Sequence, residues 1–523
     1  MAYAFTPLIA PAILLLAAAI AFAAHGPRPK RAPKLVEAAA LAALAATVAS
    51  AVLLIRLGPA TSPVLGPTLD AAAIGLSVRL DVVSAVMLVL VAFIGWIVLR
   101  YSASYLDGEP RQGAFLGWMA TTLATVLLLV QAGNLVHFSL AWIATSLSLH
   151  RLLLFYPHRV QAVRAARKKF IVARLGDAAL IAAAALLFSG YGALDIAAIL
   201  AAAREGTAPA GTGWAAALLA LAAILKSAQF PAHGWLTEVM ETPTPVSALL
   251  HAGVVNAGGF LLIRFADVML LAPGAQAALV VIGGFTALVG GLAMLSQSAV
   301  KSSLAWSTIA QMGFMTMQCG LALFPLALLH IVAHSLYKAH AFLASGGAVD
   351  LVAGVRRPGP IAVPSGWAVT RAFILALMIY AGIGFAFDFQ TKSPQAIALG
   401  AILIFGVAYL LAQGLADAAP RALTWRTTLY SVAASVSYFA LQTGAERLTA
   451  DALPATPAPG IMEWALLALA VVSFGAVAAA QSVVPLWAGH PIAAGLRAHL
   501  ANGLYANAVF DRLVGNWSVR RSS

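Results

Sequence analysis

Charge is what this sequence has least of. Only 9% of its 523 residues are Asp, Glu, Lys or Arg, against about 25% in a soluble domain. Cysteine is almost missing as well. Cys319 stands alone, which excludes a disulfide within the chain and an iron–sulfur cluster held by four thiolates. No G-x-x-x-x-G-K-[ST] loop occurs, so ATP is not bound in that way. The short alternating strands of a spanning barrel are also lacking. The opening "MAYAFTPLIAPAILLL" has no basic stretch like that of a cleaved signal, so it reads as a retained first membrane helix.

What is there is oil. Hydrophobic residues make up 62% of the chain and recur in runs close to the ~20 residues that cross a bilayer as a helix. The expected fold is an all-α polytopic membrane protein. About fifteen spans are expected, near 5–24, 34–56, 80–100, 114–131, 134–155, 168–190, 212–232, 243–268, 275–296, 302–322, 326–347, 366–387, 395–414, 424–443 and 462–483. Residues 193–204 read as a short surface helix. Every connection is short, which leaves no soluble domain of catalytic size. The segment "HPIAAGLRAHLANGLYANAVFDRLVGNW" reads as an amphipathic tail, lying along the cytoplasmic surface or under a partner.

Lysines and arginines set the expected orientation. With the N-terminus outside, the cytoplasmic connections hold "RPKRAPK" (28–34), Arg100, Arg111, "RVQAVRAARKK" (159–169), Lys301, Arg356, Arg357, Arg421 and Arg426. The tail adds Arg497, Arg512, Arg520 and Arg521. The outer connections hold only Arg56, Arg79, Arg204, Arg264, Lys392 and Arg447. This bias explains the net charge of +13, so nucleic-acid binding is not invoked.

Some charges do not follow from topology. Arg151 and Arg371 sit near enough to span ends to snorkel. Arg174, Lys226 and Lys338 lie within spans, with His137, Asp177, His251, His330 and His334. A charge at membrane depth costs about 2.5–3.5 kcal/mol on insertion scales, and such residues usually mark ion or proton pathways. Arg174 and Asp177 are three apart and can pair on one helix face. His330, His334 and Lys338 follow at i, i+4 and i+8, a single stripe. Burial favours a neutral amine, so such a stripe can hand on protons near neutral pH. Pro231 is expected to interrupt the helix of Lys226 and free carbonyls. Pro243 and Pro245 are expected to begin the next helix and bring His251 inward. Glu238 is the expected partner of Lys226.

Other readings attach to the same residues. Arg174 and Asp177 also make sense as a structural clamp, and His137 as an interfacial group. Glu241 suits a helix start, where the dipole favours an acid. The histidine stripe has zinc-like spacing, but no nearby acid or cysteine completes a ligand set.

The stretch "KSAQFPAHGWLTEVMETPTPVSALLHAG" (226–253) closely resembles the signature of the antiporter-like, proton-conducting subunits of respiratory complex I and Mrp-type cation/proton antiporters. "RLDVVSAVMLVLVAFIGWIVLRYSASYL" (79–106), "KKFIVARLGD" (168–177), "KSSLAWSTIAQMGFM" (301–315) and "HIVAHSLYKAHAFLASGG" (330–347) agree with it. The resemblance implies two inverted five-helix repeats, each with a broken helix. The expected division is 1–113, a first repeat at 114–270, a second at 271–420, further helices at 421–483 and a tail at 484–523. It also implies that Lys226 is the broken-helix lysine, that His251, His330, His334 and Lys338 form a central polar axis, and that Arg174 and Asp177 belong to a motif at the cytoplasmic side of span 6.

Two departures narrow the likeness. Ile143, in "LAWIATSLSLHRLLLFYP", stands where complex I subunits place a glutamate facing the broken-helix lysine. Span 12, "FILALMIYAGIGFAFDF", offers only Asp388. No long lateral helix is expected after span 15. These features, with "WIATSLSLHRLLLFYPHR" and "LANGLYANAVFDRL", are similar to the DabB family, membrane subunits of inorganic-carbon accumulation complexes. That resemblance implies inward flow of H⁺ or Na⁺ across the cell inner membrane. It also implies a large cytoplasmic DabA-like partner that carries zinc and resembles β-carbonic anhydrase, with no cofactor in this chain. Alternatives are a proton-pumping subunit of an NADH:quinone oxidoreductase and a cation/proton antiporter subunit.

Overall fold

The computed structural model describes residues 2–24, 26, 31–69, 72–347, 364–416 and 419–514. Arg28, Lys30, Arg356, Arg357, Arg520, Arg521 and the tail beyond Val514 lie outside the described residues.

Long apolar runs become helices because a helix satisfies every backbone group within itself, which oil demands. The order is α1 (Ile9–Ala23), α2 (Ala32–Leu57), α3 (Val82–Tyr105), α4 (Gln112–Val130), α5 (Leu135–Leu153), α6 (Val160–Tyr191), α7 (Ile196–Arg204), α8 (Thr212–Lys226), α9 (Gly234–Glu238), α10 (Thr244–Ala252), α11 (Ala257–Arg264), α12 (Ala266–Leu270), α13 (Pro273–Leu295), α14 (Val300–Gly320) and α15 (Phe324–Ala344). Then come α16 (Gly366–Ala386), α17 (Pro394–Gly414), α18 (Arg421–Thr449), α19 (Ile461–Ser482), α20 (Val484–Trp487), α21 (Pro491–Ala501) and α22 (Ala506–Val514).

Eleven helical segments among the described residues are long and apolar enough to cross a membrane. The other expected spans are α5, α8, α14 and α18. They fall short because α8 is brief and the rest carry polar residues, such as Thr145, Ser146 and Ser148 on α5 and Thr427, Ser431 and Ser435 on α18.

Glycine sets how closely α13 and α14 approach. A Cβ on Gly313 would lie 2.5 Å from the Ala287 nitrogen, and one on Gly283 would lie 2.6 Å from the Gly313 oxygen. Small residues at such a crossing let backbones touch.

The connection between α2 and α3 holds two short antiparallel pairs that hydropathy did not reveal. β1 (Ala60–Thr61) pairs with β4 (Arg79–Leu80), and β2 (Thr68–Leu69) with β3 (Ala72–Ala73). Asp81 then caps α3 in a reciprocal bond with Ser84. This end of the bundle is the hairpin end; the opposite one, where α21 and α22 pack, is the tail end. At the hairpin end Arg264 Nη1 lies 2.5 Å from Asp81 Oδ2 and Arg79 Nε lies 2.7 Å from it. Arg264, counted as a loop residue from topology, is therefore buried and paired.

Candidate functional site

The site is built on two broken helices. α8 stops at Lys226, five residues before Pro231 and earlier than the sequence suggested. A proline disfavours helix in the residue before it and lacks its own N–H, and Ala228 takes a left-handed φ of 50°. The freed groups find partners. Ser227 Oγ donates to Val255 O at 2.9 Å, Gln229 Nε2 to Ser227 O at 2.8 Å, and the Phe230 N–H to Thr286 Oγ1 at 3.0 Å. The second break follows α10, which begins after Pro243 with Pro245 in its first turn, as expected of prolines at a helix start. It ends at Gly253. Asn256 Nδ2 then donates to Ala252 O at 3.0 Å and to Ser335 Oγ at 2.8 Å, tying the break to α15.

Lys226 is buried at the first break. Its Nζ lies 4.3 Å from the centre of the Trp142 ring, a contact worth up to about 2 kcal/mol when desolvated. Among the described residues no carboxylate comes within 4 Å of it. Asp177 lies on α6, which packs against α8. Asp177 meets Arg174, at 2.6 Å.

Glu238 does not partner Lys226. Lys168 Nζ donates to Glu238 Oε1 at 2.7 Å and to Asn507 Oδ1 at 2.8 Å, and lies 2.6 Å from Asp511 Oδ1. Asn507 Nδ2 donates to Glu238 Oε1 at 2.6 Å. The physical reason is placement. The loop after Lys226 and the short α9 carry Glu238 to the tail end, where α6 presents Lys168 and α22 presents Asn507 and Asp511. The amphipathic tail thus folds back over the mouth beside the first break. A cavity of about 560 Å³ opens there, lined in part by Glu238, Glu241, Asn507 and Asp511. Glu241 sits in a 3₁₀ turn before α10, with Arg159 at 3.9 Å.

The central imidazoles do come together. His251 Nδ1 lies 3.0 Å from Thr308 Oγ1, and its ring stacks on Phe342 at 4.4 Å. His334 Nε2 lies 3.1 Å from the His251 carbonyl. The rings of His330 and His334 are 6.0 Å apart. Lys338 Nζ donates to Leu304 O at 3.1 Å. His251, His334 and Lys338 are all buried, while His330 is half-buried. Among the described residues His251 Nε2 and His330 Nε2 have no hydrogen-bond partner. One stripe on α15 therefore faces α10 and α14. Among the described residues no group of three or more His, Cys, Asp or Glu could hold a metal ion.

Elsewhere the assignments divide. His137 Nδ1 lies 2.7 Å from Ser77 O, so it clamps the hairpin connection to α5. Arg151 and Arg371 are exposed. α16 runs unbroken from Gly366 to Ala386, and Asp388 follows it with a left-handed φ of 53°. Sequence reading missed Lys168 and Lys169, counted only as topology charges. Their signal was position: both fall where α6 is already inside the bundle. Amines and imidazoles can each take up and give up a proton, so the buried set can relay cations, whereas arginine can only fix charge.

Comparisons with known proteins point to one family. A family profile described as NADH:quinone oxidoreductase/Mrp antiporter, TM matches residues 132–356, and one described as NADH-Ubiquinone oxidoreductase (complex I), chain 5 N-terminus matches 68–116. A probable inorganic carbon transporter subunit, DabB2 of Halothiobacillus neapolitanus, is 41% identical over 84% of this chain and 80% of its own length. NADH-quinone oxidoreductase subunit L of Mycobacterium tuberculosis is 34% identical over 75% of this chain and 61% of its own. Among solved structures, a chain of the Mrp complex from Dietzia sp. DQ12-45-1b superposes with a TM-score of 0.59 at 26% identity, covering 98% of this chain and 57% of that one. The chain belongs to the family of antiporter-like membrane subunits that includes the DabB subunits of inorganic carbon transporters and the L subunits of NADH:quinone oxidoreductases.

Proposed function

We propose that this chain conducts a cation, H⁺ or Na⁺, as the membrane subunit of an energy-coupled CO₂/bicarbonate uptake complex. Its partner is a large cytoplasmic zinc protein of the DabA kind, resembling β-carbonic anhydrase. The observation that carries the reading is the row of amines and imidazoles inside the bundle, with Lys226 buried at one break and His251, His334 and Lys338 buried, and His330 half-buried, about the other. Asp177 and Arg174 hold charge beside Lys226, and Glu238 joins Lys168 at the tail-end mouth. The repeats at 114–270 and 271–420 are part of this proposal, as is an inner-membrane location with the N-terminus outside and the tail cytoplasmic. Apolar replacements would insert more cheaply, so a row of buried amines and imidazoles argues against a mere scaffold. The likeness to DabB2, together with Ile143 in place of a glutamate, favours the carbon-uptake complex. A cation/proton antiporter subunit is the second reading, supported by the coverage of the Mrp chain.

Two experiments test this. Affinity purification of the tagged chain from its own membranes is expected to bring down a large soluble zinc protein; flavin and iron–sulfur subunits in its place would overturn the assignment. Lys226→Ala and His334→Ala are each expected to lower cation flux by about 10²-fold or more and to abolish CO₂-dependent growth, with the complex still assembled. Normal growth in both variants would refute the path.

A further inference from the structure

α6 carries two adjacent lysines that part company. Lys168 turns to Glu238, Asn507 and Asp511 at the tail end. Lys169, about 100° further round the helix, turns into the protein and is 5% exposed. Its Nζ donates to the Ser146 carbonyl at 2.9 Å and to Ser146 Oγ at 3.0 Å. Both acceptors are neutral. The ion pairs of α6 among the described residues belong to Arg164, Lys168 and Arg174, so no carboxylate balances Lys169 directly.

Lys169 and Lys226 line one small cavity of about 20 Å³, together with Leu149, Leu225, Trp235 and Leu250. That volume admits roughly one water. The two amines also share a face of α5, because their contacts, Trp142 and Ser146, stand one turn apart and flank Ile143. Like charges lining one small cavity disfavour each other, so two such amines act as a coupled pair.

We propose that Lys169 and Lys226 form a two-amine relay holding one exchangeable proton, in which Lys169 does the work that a carboxylate at position 143 would otherwise do. The inference rests on the cation-conduction reading, with H⁺ as the ion. An N–H of the Lys169 ammonium passes its proton to a water in the cavity. The water passes one of its own to the neutral Lys226 amine. The pair carries one positive charge before and after; Lys226 then releases its proton to a further water, and Lys169 regains one from solvent in the next cycle. The groups that face Lys169 are Lys226 from α8, His150 from α5, and Arg174 and Asp177 on its own helix. Lys169 is a relay residue, distinct from the structural anchor that its bonds to Ser146 alone would make it.

The test uses the full chain with its partner in liposomes, with an internal pH dye reading H⁺ flux across a pH series. Lys169→Gln is expected to cut flux about ten-fold or more and to move the half-maximal pH by about one unit. Lys169→Arg keeps the charge and the donors but cannot release a proton, and is expected to fail as well. Lys169→His is expected to restore part of the flux. An anchoring role predicts a working arginine variant with the wild-type pH midpoint, and that result overturns the proposal. If Lys169→Gln does not reach the membrane, Ser146→Ala keeps the amine and removes one acceptor; an unchanged midpoint there overturns it equally. Lys226→Ala separates the two claims. A wild-type complex without flux sinks the conduction reading. A conducting wild type, a silent Lys226→Ala and a normal Lys169→Gln sink only this inference.

Discussion

The helices from α3 to α15 and those from α16 to α19 solve the same problem differently. In the first region amines, imidazoles and guanidiniums are buried: Lys169, Lys226, His251, Arg264, His334 and Lys338. In the second the buried polar groups among the described residues are hydroxyls and amides, among them Thr427, Ser431, Ser435 and Gln442. Ser431 Oγ donates to Thr427 O at 2.7 Å and Ser435 Oγ to Ser431 O at 2.9 Å. These hydroxyls are satisfied within their own helix and need no neighbour. The buried cations need other helices: Lys226 takes Trp142, His334 the carbonyl of His251, and Arg264 takes Asp81. Burial follows this division. Along the most apolar stretch of Thr244–Arg264 94% of residues are buried, against 11% along Ile461–Ser482. A side chain that must change protonation needs a crowded, multi-helix setting, because only that setting fixes its partners without satisfying it completely.

The comparison can be pressed hardest at Arg264. Arg264→Ala leaves Asp81 buried with Arg79 alone, and is expected to cost about 3–5 kcal/mol, read as lost unfolding stability in detergent. Replacing both partners, Arg264→Met with Asp81→Asn, is expected to cost less, because the cap on α3 is kept and the charge left over, on Arg79, is only half-buried. An intermediate effect is expected at the one ion pair of the second region among the described residues, where Lys392, in the connection before α17, meets Glu446 of α18 at 2.6 Å. Glu446 reaches solvent there, its side chain 37% exposed, so Lys392→Ala should cost about 1 kcal/mol. Ser431→Ala and Ser435→Ala should each change stability by about 0.5 kcal/mol or less and leave flux untouched. Flux lost in either serine variant would place part of the path in the second region and erase the distinction.

Much of the site could be read from spacing. Arg174 with Asp177, and His330 with His334 and Lys338, are contacts within a single helix, where three or four residues of separation guarantee a shared face. Pairing across the break could not be read. Glu238 lies twelve positions after Lys226, yet the turn at residues 227–233 carries it to Lys168. Asp81 and Arg264 are 183 positions apart, and nothing local announces their meeting. Lys169 looked like a topology charge because its sequence neighbours are basic.

Hydropathy alone determined that this chain is a bundle of membrane helices, since the cost of an unpaired peptide group in oil acts on each segment separately. It also determined which side chains are too costly to bury without a reason. Which of them meet was decided only by the packed bundle: Glu238 with Lys168, Arg264 with Asp81, and Lys169 with Lys226 around one cavity. Such meetings depend on how loops return distant helices to one another, and the strength of an electrostatic contact depends on separation in space, which order along the chain does not encode.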